Sequence, residues 1–212
     1  MNPDQSNENR RTLDAYEARA KEYLDNTPST YTKHHSALLR WIDATLCLLP
    51  SHARILEIGS ATPREAKYMR DNGFPVQCSD AAVSFVKYLR NIGEEAIRFN
   101  ILEDKLPSGY NMLFANAVAQ HFTPNDLSHA LEKAYRALPL GGLFAFSVKE
   151  GKGDVWITEK FPEKRYIHYW KYDQLLTTVQ DAGYTVVFAE HNIIGDVSTH
   201  KWINLTAQKT AE

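Results

Sequence analysis

The sequence contains little cysteine and no long apolar run. Only two of its 212 residues are cysteines, Cys47 and Cys78, so we expect no disulfide framework, and no Cys/His cluster has the spacing of a zinc site. The longest apolar stretch, residues 37–49, includes Arg40 and Asp43 and is too short to cross a bilayer. The polar N-terminus lacks the apolar core of a signal peptide. These absences predict a cytoplasmic protein with neither a bound metal nor a membrane anchor.

An excess of positive charge is also absent. The chain carries 24 Lys and Arg residues against 26 Asp and Glu residues, a formal net charge of −2. Proteins that bind nucleic acids usually carry a basic face, so this balance argues against a nucleic-acid partner. The hydrophobic fraction of 43% is ordinary for a folded domain, which excludes disorder and fibrous architectures for most of the chain. The length favours a single domain.

The sequence does show a regular alternation of two patterns. Short apolar runs typical of buried strands alternate with helical patterns, and the clearest helix start is Thr123 followed by Pro124. This order predicts an α/β fold, a doubly wound and mostly parallel seven-stranded sheet with helices on both faces. The last two strands have no helix between them, so we expect an antiparallel C-terminal hairpin with a turn at Gly195–Asp196. The predicted strands are residues 54–59, 76–79, 96–99, 112–117, 143–148, 185–190 and 202–207.

The chain divides into three predicted segments. Residues 1–10 are rich in Asn, Asp, Glu and Ser, which predicts a disordered tail. Residues 11–50 precede the first strand and contain two helical patterns. Residues 51–212 hold the alternating strands and helices of the core. The two N-terminal helices are predicted over residues 11–25 and 29–48.

The first two strand ends predict a ligand site. In a doubly wound sheet, ligands bind beyond the carboxyl ends of the strands. The first strand runs into a turn over residues 57–65, and the second strand ends at Asp80. A carboxylate at that position accepts hydrogen bonds from both hydroxyls of a ribose, which predicts a bound nucleoside cofactor. Asp80 also precedes a helix, so a helix cap is an equally good interpretation of these features alone.

Three sequence motifs follow one another along the predicted core. Residues 56–64 read LEIGSATPR, residues 110–122 read YNMLFANAVAQHF, and residues 139–144 read PLGGLF. In order and spacing they resemble the class I S-adenosylmethionine-dependent methyltransferases of the small-molecule type. The first motif of that family usually has three glycines. Gly59 matches the first of them, whereas Ala61 and Pro63 stand at the other two positions.

This resemblance implies S-adenosylmethionine as the cofactor. It also implies that residues 11–50 form a lid, that residues 51–212 form a Rossmann-like cofactor-binding core, and that residues 149–170 form a substrate loop. The expected reaction is methyl transfer to a small-molecule acceptor by positioning and exclusion of water. The implied cofactor-binding residues are Glu57, Gly59, Ser60, Ala61, Asp80, Ala81, Asn100, Ile101 and Asn116.

The acceptor is expected to lie between the lid and the substrate loop, where cations and aromatic rings suit an anionic or flat molecule. His121 is the candidate catalytic base, and the alternative is a histidine at the start of a helix that bonds to the backbone. The predicted substrate-binding residues are Tyr16, Tyr23, His121, Lys149, Arg165, Tyr166 and His168.

Two other functions stay open. The departures at Ala61 and Pro63 leave a non-catalytic or partner-dependent cofactor-binding protein of the same fold as an alternative. A nicotinamide-dependent dehydrogenase is the third, although the incomplete glycine pattern and the antiparallel tail argue against it.

Overall fold

The computed structural model describes residues 7–27, 30–31, 35–159, 161–193 and 201–211. Three predicted features lie partly or wholly outside the described residues. They are residues 1–6 of the tail, residues 28–29 and 32–34 of the lid, and the Gly195–Asp196 turn. Lys160 of the predicted substrate loop also lies outside them.

A central sheet organises the fold. The strands are β1 Ile55–Ile58, β2 Val76–Asp80, β3 Ala96–Arg98, β4 Met112–Ala115, β5 Leu143–Lys149, β6 Gly153–Ile157, β7 Arg165–Tyr169, β8 Tyr184–Ile193 and β9 Lys201–Lys209. Seven of them form one sheet in the order β3-β2-β1-β4-β5-β9-β8. Strands β1 to β5 are parallel, and β9 runs antiparallel to both β5 and β8. The predicted fold class is therefore confirmed.

Helices cover the sheet and its carboxyl edge. They are α1 Asn7–Ala18, α2 Ala20–Asp25, α3 Ser36–Leu46, α4 Arg64–Asp71, α5 Val83–Asn91, α6 Pro124–Ala137 and α7 Tyr172–Asp181, with a short 3₁₀ helix at Ala119–His121. As predicted, Thr123 caps α6, since its side chain accepts a hydrogen bond from Asp126 N in a capping box. No helix in the described residues has the length and hydropathy needed to span a membrane.

Two hydrophobic clusters sandwich the sheet. Successive side chains of a strand point to opposite faces, so Leu56 packs in the cluster that contains α6 and α7, whereas Ile55 packs in the one that contains α3. All four residues of β1 are buried, as expected for a central parallel strand covered on both faces. The polar groups available for binding are therefore confined to the edge where the parallel strands end.

The N-terminal segment departs from the prediction. Four residues of the predicted tail belong to α1, which begins at Asn7. Asn9 and Thr12 are buried there because α1 packs against β7, α5 and the 3₁₀ helix. The single helix predicted over residues 11–25 is two helices, separated at Arg19. Tertiary contacts thus order a polar stretch whose composition predicts disorder.

The predicted substrate loop also differs from a loop. Within residues 149–170, β6 and β7 form a separate two-stranded antiparallel sheet. Its register pairs Gly153 with Tyr169 and Trp156 with Tyr166. Aromatic and β-branched residues favour this pairing, and a strand holds a side chain in a more defined position than an irregular loop. The hairpin therefore offers its residues to α1 in a fixed register.

Candidate functional site

A cavity lies at the carboxyl ends of β1, β2 and β4, and α1 covers it. The cavity has a volume of about 110 Å³. Most of the predicted site residues line this cavity, namely Tyr16, Tyr23, Gly59, Ala61, Asp80, Ala81, Asn100, Ile101, Asn116 and His121. The structure thus brings together groups that are more than 100 positions apart in the sequence.

The turn after β1 depends on backbone conformations with positive φ. Gly59 has a φ of +72°, and a Cβ at this position would overlap the Val118 side chain. Ala61 has a φ of +44°, in the left-handed region that costs an alanine free energy. Pro63 is the N-cap of α4 with a φ of −81°. The backbone accommodates both departures from the glycine pattern, and the carboxylate of Asp80 holds the turn at Ala61.

Asp80 is a buried carboxylate that faces both this turn and the cavity. Its Oδ2 accepts a hydrogen bond from Ala61 N at 3.0 Å, and its Oδ1 accepts one from Ala82 N at 2.9 Å. Burial raises the pKa of Asp80 to about 6, although these backbone N–H groups oppose the rise. Each carboxylate oxygen has a second lone pair. Asp80 therefore orders the start of α5 and still has acceptor capacity.

Asn100 presents a donor that no residue in the described part of the chain satisfies. The side-chain Oδ1 accepts a hydrogen bond from Leu102 N at 3.1 Å, which fixes the orientation of the amide. The Nδ2 group is buried, and no described residue accepts a hydrogen bond from it. A buried amide left without a partner costs free energy. In a cavity wall, such a donor suits a ligand that carries an acceptor, such as a ring nitrogen.

Asn116 belongs to a polar network under the cavity. Its Nδ2 donates to Glu65 Oε1 at 3.1 Å, and its Oδ1 accepts from Ser147 Oγ at 2.8 Å. The same Ser147 oxygen accepts from Ala117 N at 2.7 Å. These bonds join the end of β4 to α4 and β5. The network holds the segment that carries Ala117, a residue with a φ of +56°.

Two predicted cofactor-binding residues lie behind the turn and do not line the cavity. Ser60 turns its hydroxyl toward β2, where it accepts a hydrogen bond from Ser79 N at 3.2 Å. Glu57 is buried, and burial together with the nearby Glu65 carboxylate raises the pKa of Glu57 to about 8. Both residues bond to Ser79 and so join the turn to β2.

Tyr16 joins α1 to the rest of the site through hydrogen bonds with two side chains, His121 and Arg165. His121 Nδ1 donates to the Tyr166 carbonyl oxygen at 2.7 Å, because a carbonyl only accepts. This assigns the neutral tautomer in which His121 Nε2 is the acceptor, and Tyr16 Oη donates to it at 3.0 Å. Arg165 Nη1 donates in turn to Tyr16 Oη at 3.1 Å. The result is a directed chain of hydrogen bonds at the cavity wall.

The other predicted substrate-binding residues, on β5 and the β6–β7 hairpin, lie outside the cavity lining. The Tyr166 ring packs edge-on against Trp156, and its backbone N–H donates to Thr12 Oγ1 at 2.9 Å. His168 bonds to Asp154 through Nδ1. Lys149 and Arg165 are both buried. Burial, with a smaller contribution from Arg165, lowers the pKa of Lys149.

Sequence reasoning missed the part of the wall that α1 supplies. Asn9, Thr12 and Leu13 line the cavity together with Tyr16. Their spacing is that of one helix face, so the signal was present. Two of the residues are polar, and the apolar periodicity that identifies a helix does not include them. Phe85 and Val118 are further lining residues that the sequence motifs do not mark.

Comparison with known proteins identifies the fold. No protein-family model and no curated protein sequence matches the chain. The solved DhpI–S-adenosylhomocysteine complex has a TM-score of 0.72 at 13% identity, over 98% of this chain and 100% of that one. The 1,6-didemethyltoxoflavin-N1-methyltransferase of Burkholderia thailandensis, solved with 1,6-didemethyltoxoflavin and S-adenosylhomocysteine, has a TM-score of 0.71 at 17% identity, over 96% and 88% of the two chains.

A third structure agrees with these two. An S-adenosylmethionine-dependent methyltransferase from Methanosarcina mazei has a TM-score of 0.68 at 13% identity, over 79% of this chain and 97% of that one. The chain has the class I methyltransferase fold. At such low identity the likeness concerns the fold alone. The ligand of this chain therefore depends on the residues that line its own cavity.

The close approach at Gly59 predicts a measurable cost for a methyl group. Gly59→Ala should destabilise the protein by roughly 1–3 kcal/mol more than Gly93→Ala, because overpacking adds to the strain of a positive φ. Gly93 is the matched control, with a φ of +89° and open space around its Cβ position. Urea unfolding measures both variants. Combining Gly59→Ala with Val118→Ala should recover most of the excess, and equal costs for the two glycines would contradict the close approach.

Proposed function

We propose that the cavity binds S-adenosylmethionine and that the protein transfers its methyl group to a small-molecule acceptor. The observation that carries the proposal is the pair formed by Asp80 and Asn100. A buried carboxylate with spare acceptor capacity and a buried amide NH2 group that no described residue satisfies face one cavity from neighbouring strand ends. This pair matches the two ends of an adenosine group, since ribose hydroxyls donate and adenine ring nitrogens accept.

Two further features of the cavity fit this cofactor. The turn at Gly59 leaves no room for a Cβ, as expected where a backbone approaches a ligand closely. Tyr16, Tyr23 and Phe85 form an aromatic cluster in the wall, with ring centroids 5.4–6.2 Å apart. Aromatic faces attract cations, and the cofactor carries a positively charged sulfur. Both DhpI and the Burkholderia thailandensis enzyme were solved with S-adenosylhomocysteine bound, which supports the same choice.

The residues around His121 suit the handling of one proton. When bound, the cofactor supplies a methyl group activated for transfer, so the protein has mainly to position the acceptor and exclude water. A proton released by the acceptor passes to Tyr16 Oη while the Tyr16 proton moves to His121 Nε2. The Tyr166 carbonyl stabilises the resulting imidazolium through Nδ1–H, and Arg165 stabilises negative charge that develops on the Tyr16 oxygen. His121 and Tyr16 are the proposed catalytic pair.

The helices α1 and α2, with the β6–β7 hairpin, form the proposed cover of the site. Arg19 makes a two-point contact with Glu163, at 2.7 and 2.8 Å. Glu17 accepts hydrogen bonds from Ser84 N and Oγ at the start of α5. These polar contacts are partly exposed, and the apolar contacts of the cover are those of one small cluster around Phe85. A cover that opens admits the cofactor, and its closure excludes water. A cytoplasmic location stays a prediction.

Cofactor binding is the first test. S-adenosylhomocysteine at about a hundred times its Kd should raise the melting temperature by roughly 5–10 °C, because binding to the native state alone stabilises it by mass action. Calorimetry should give one site per chain. The expected control is NAD, which should produce no shift. A shift with NAD alone would support a dehydrogenase, and cofactor binding without turnover on any acceptor of a broad panel would support a non-catalytic binder.

The titration of Asp80 predicts the pH dependence of cofactor binding. Because burial raises its pKa to about 6 in the free protein, the carboxyl stabilises the fold fully below its ordinary pKa near 4, and this contribution is lost as the pH rises through about 6. Ribose hydroxyls require the ionised form. The affinity for S-adenosylhomocysteine should therefore be constant above pH 7 and fall by up to about tenfold per pH unit below pH 6.

The variant Asp80→Asn tests this assignment by calorimetry. It should bind S-adenosylhomocysteine roughly 10–100-fold more weakly at pH 7.5, the range expected for a charge-assisted bond, and its affinity should not change between pH 5 and pH 8. Asp71→Asn is the control, an exposed aspartate paired with Lys67, and should keep the wild-type profile. The same pH profile in Asp80→Asn as in the wild type would assign the titration to another group.

The contact between Arg19 and Glu163 tests the cover. Arg19→Gln should leave the midpoint of urea unfolding close to that of the wild type, because exposed ion pairs contribute little. It should increase the dissociation rate of S-adenosylhomocysteine several-fold in stopped-flow measurements, since closure loses its tie to the hairpin. Lys67→Gln breaks an exposed pair in α4 and serves as the control. An unchanged dissociation rate in Arg19→Gln would contradict a cover held by this contact.

A further inference from the structure

Two cationic residues, Arg165 and Lys149, lie beside the site, and neither forms an ion pair within the described ranges of the chain. Arg165 begins β7 and is 3% exposed, and Lys149 ends β5 and is 7% exposed. Among the described residues, no carboxylate lies within 4.0 Å of either charged group. Burial lowers the pKa of Lys149, the field of exposed Glu159 opposes this shift, and the positive charge of Arg165 adds to it. A buried charged group without an acceptor for its N–H groups is costly, which at Arg165 points to a missing negative group.

The unused edge of Arg165 has the geometry for a carboxylate. Nη1 donates to Tyr16 Oη, whereas Nε and Nη2 are buried and have no hydrogen-bond partner among the described residues. Nε–H and Nη2–H form one edge of the guanidinium, and two parallel donors of this kind bind a carboxylate at two points. Arg19 uses the same two atoms to hold the Glu163 carboxylate. Arg19 thus forms the two-point bond to a carboxylate that Arg165 does not form with any described residue.

The surroundings of Arg165 do not replace this partner. Its guanidinium carbon lies 4.5 Å from the centroid of the Phe161 ring and 5.4 Å from that of Tyr16. Aromatic faces attract the charge, but they leave the N–H groups of the free edge without acceptors. Phe161 is buried as well, so the edge is shielded from water while the cover is closed.

We propose that Arg165, with Lys149 beside it, binds a carboxylate of the acceptor, so that the methyl acceptor is an anionic small molecule. This inference rests on the proposed function. Arg165 also touches Tyr16, which in turn contacts His121. An acceptor held by its carboxylate at Arg165 therefore places the rest of its body along the wall that carries the proposed catalytic pair. The carboxylate fixes the orientation, and Lys149 adds a positive field without a bidentate contact.

The test measures carboxylate binding to the complex with S-adenosylhomocysteine. Acetate and benzoate are titrated as probes by NMR, with acetamide and benzamide as neutral molecules of the same shape. Both carboxylates should bind at least tenfold more tightly than their amides. Arg165→Gln should remove this preference and Lys149→Gln should weaken it, whereas the exposed control Lys152→Gln should retain it. Equal binding of carboxylates and amides, or a preference that survives in Arg165→Gln, would overturn the proposal.

A second variant separates a binding role from a structural one. Arg165→Met replaces an unpaired buried charge with an apolar chain of similar length, so it should leave the melting temperature of the free protein unchanged or raise it. A clear fall would assign Arg165 to the support of Tyr16 and Phe161 and overturn the proposal. The binding of S-adenosylhomocysteine is measured in a separate titration. If the wild type binds it without any preference for carboxylates, only this inference fails, whereas no binding at all overturns the proposed function.

Discussion

The hydrogen bonds from Ala61 N and Ala82 N to the Asp80 carboxylate hold the binding edge of the sheet together. One side chain at the end of β2 accepts from the turn after β1 and from the start of α5. From the sequence, Asp80 is either a ligand-binding acid or a helix cap. The N-cap of α5 is Ala82, without a side-chain cap, so Asp80 holds the turn that precedes the helix and does not cap it. A buried carboxylate costs free energy, which the raised pKa of Asp80 reflects. This cost arises where the turn after β1 and the segment before α5 both bond to the same carboxylate.

Other parts of the site carry similar costs. Asn100 Nδ2 and the free edge of Arg165 are buried donors that no described residue satisfies, and Ala61 adopts a left-handed backbone conformation. Natural proteins satisfy nearly all buried polar groups. Other unsatisfied buried atoms of the described residues, such as Glu190 Oε1 on β8, lie far from the cavity. What distinguishes Asn100 is that it lines the cavity, where a ligand can complete its interactions.

The cover depends on a different kind of contact. The α1 helix meets the hairpin and α5 through polar bonds such as those of Thr12 with Tyr166 N and of Glu17 with Ser84. Its aromatic residue Tyr16 contacts Tyr23, Phe85, Phe161 and His121 at once. A helix held mainly by polar bonds and one aromatic cluster can be released more easily than a helix buried in the core. This distinguishes α1 from α3, whose Trp41 and Ile42 are fully buried against the sheet.

Local patterns in the sequence were enough to predict the sheet, the Thr123 cap and the meeting of Gly59, Asp80 and Asn100 at one edge. Buried parallel strands read as apolar runs, and their carboxyl ends necessarily lie together, so these features need no knowledge of distant contacts. The start of α1 at Asn7, the hairpin within residues 149–170 and the inward-turned Ser60 were not predictable in this way. Each depends on packing between segments far apart in the chain. The free edge of Arg165 depends on it as well, because a guanidinium becomes an unpaired buried charge only once Tyr16 and Phe161 have closed around it.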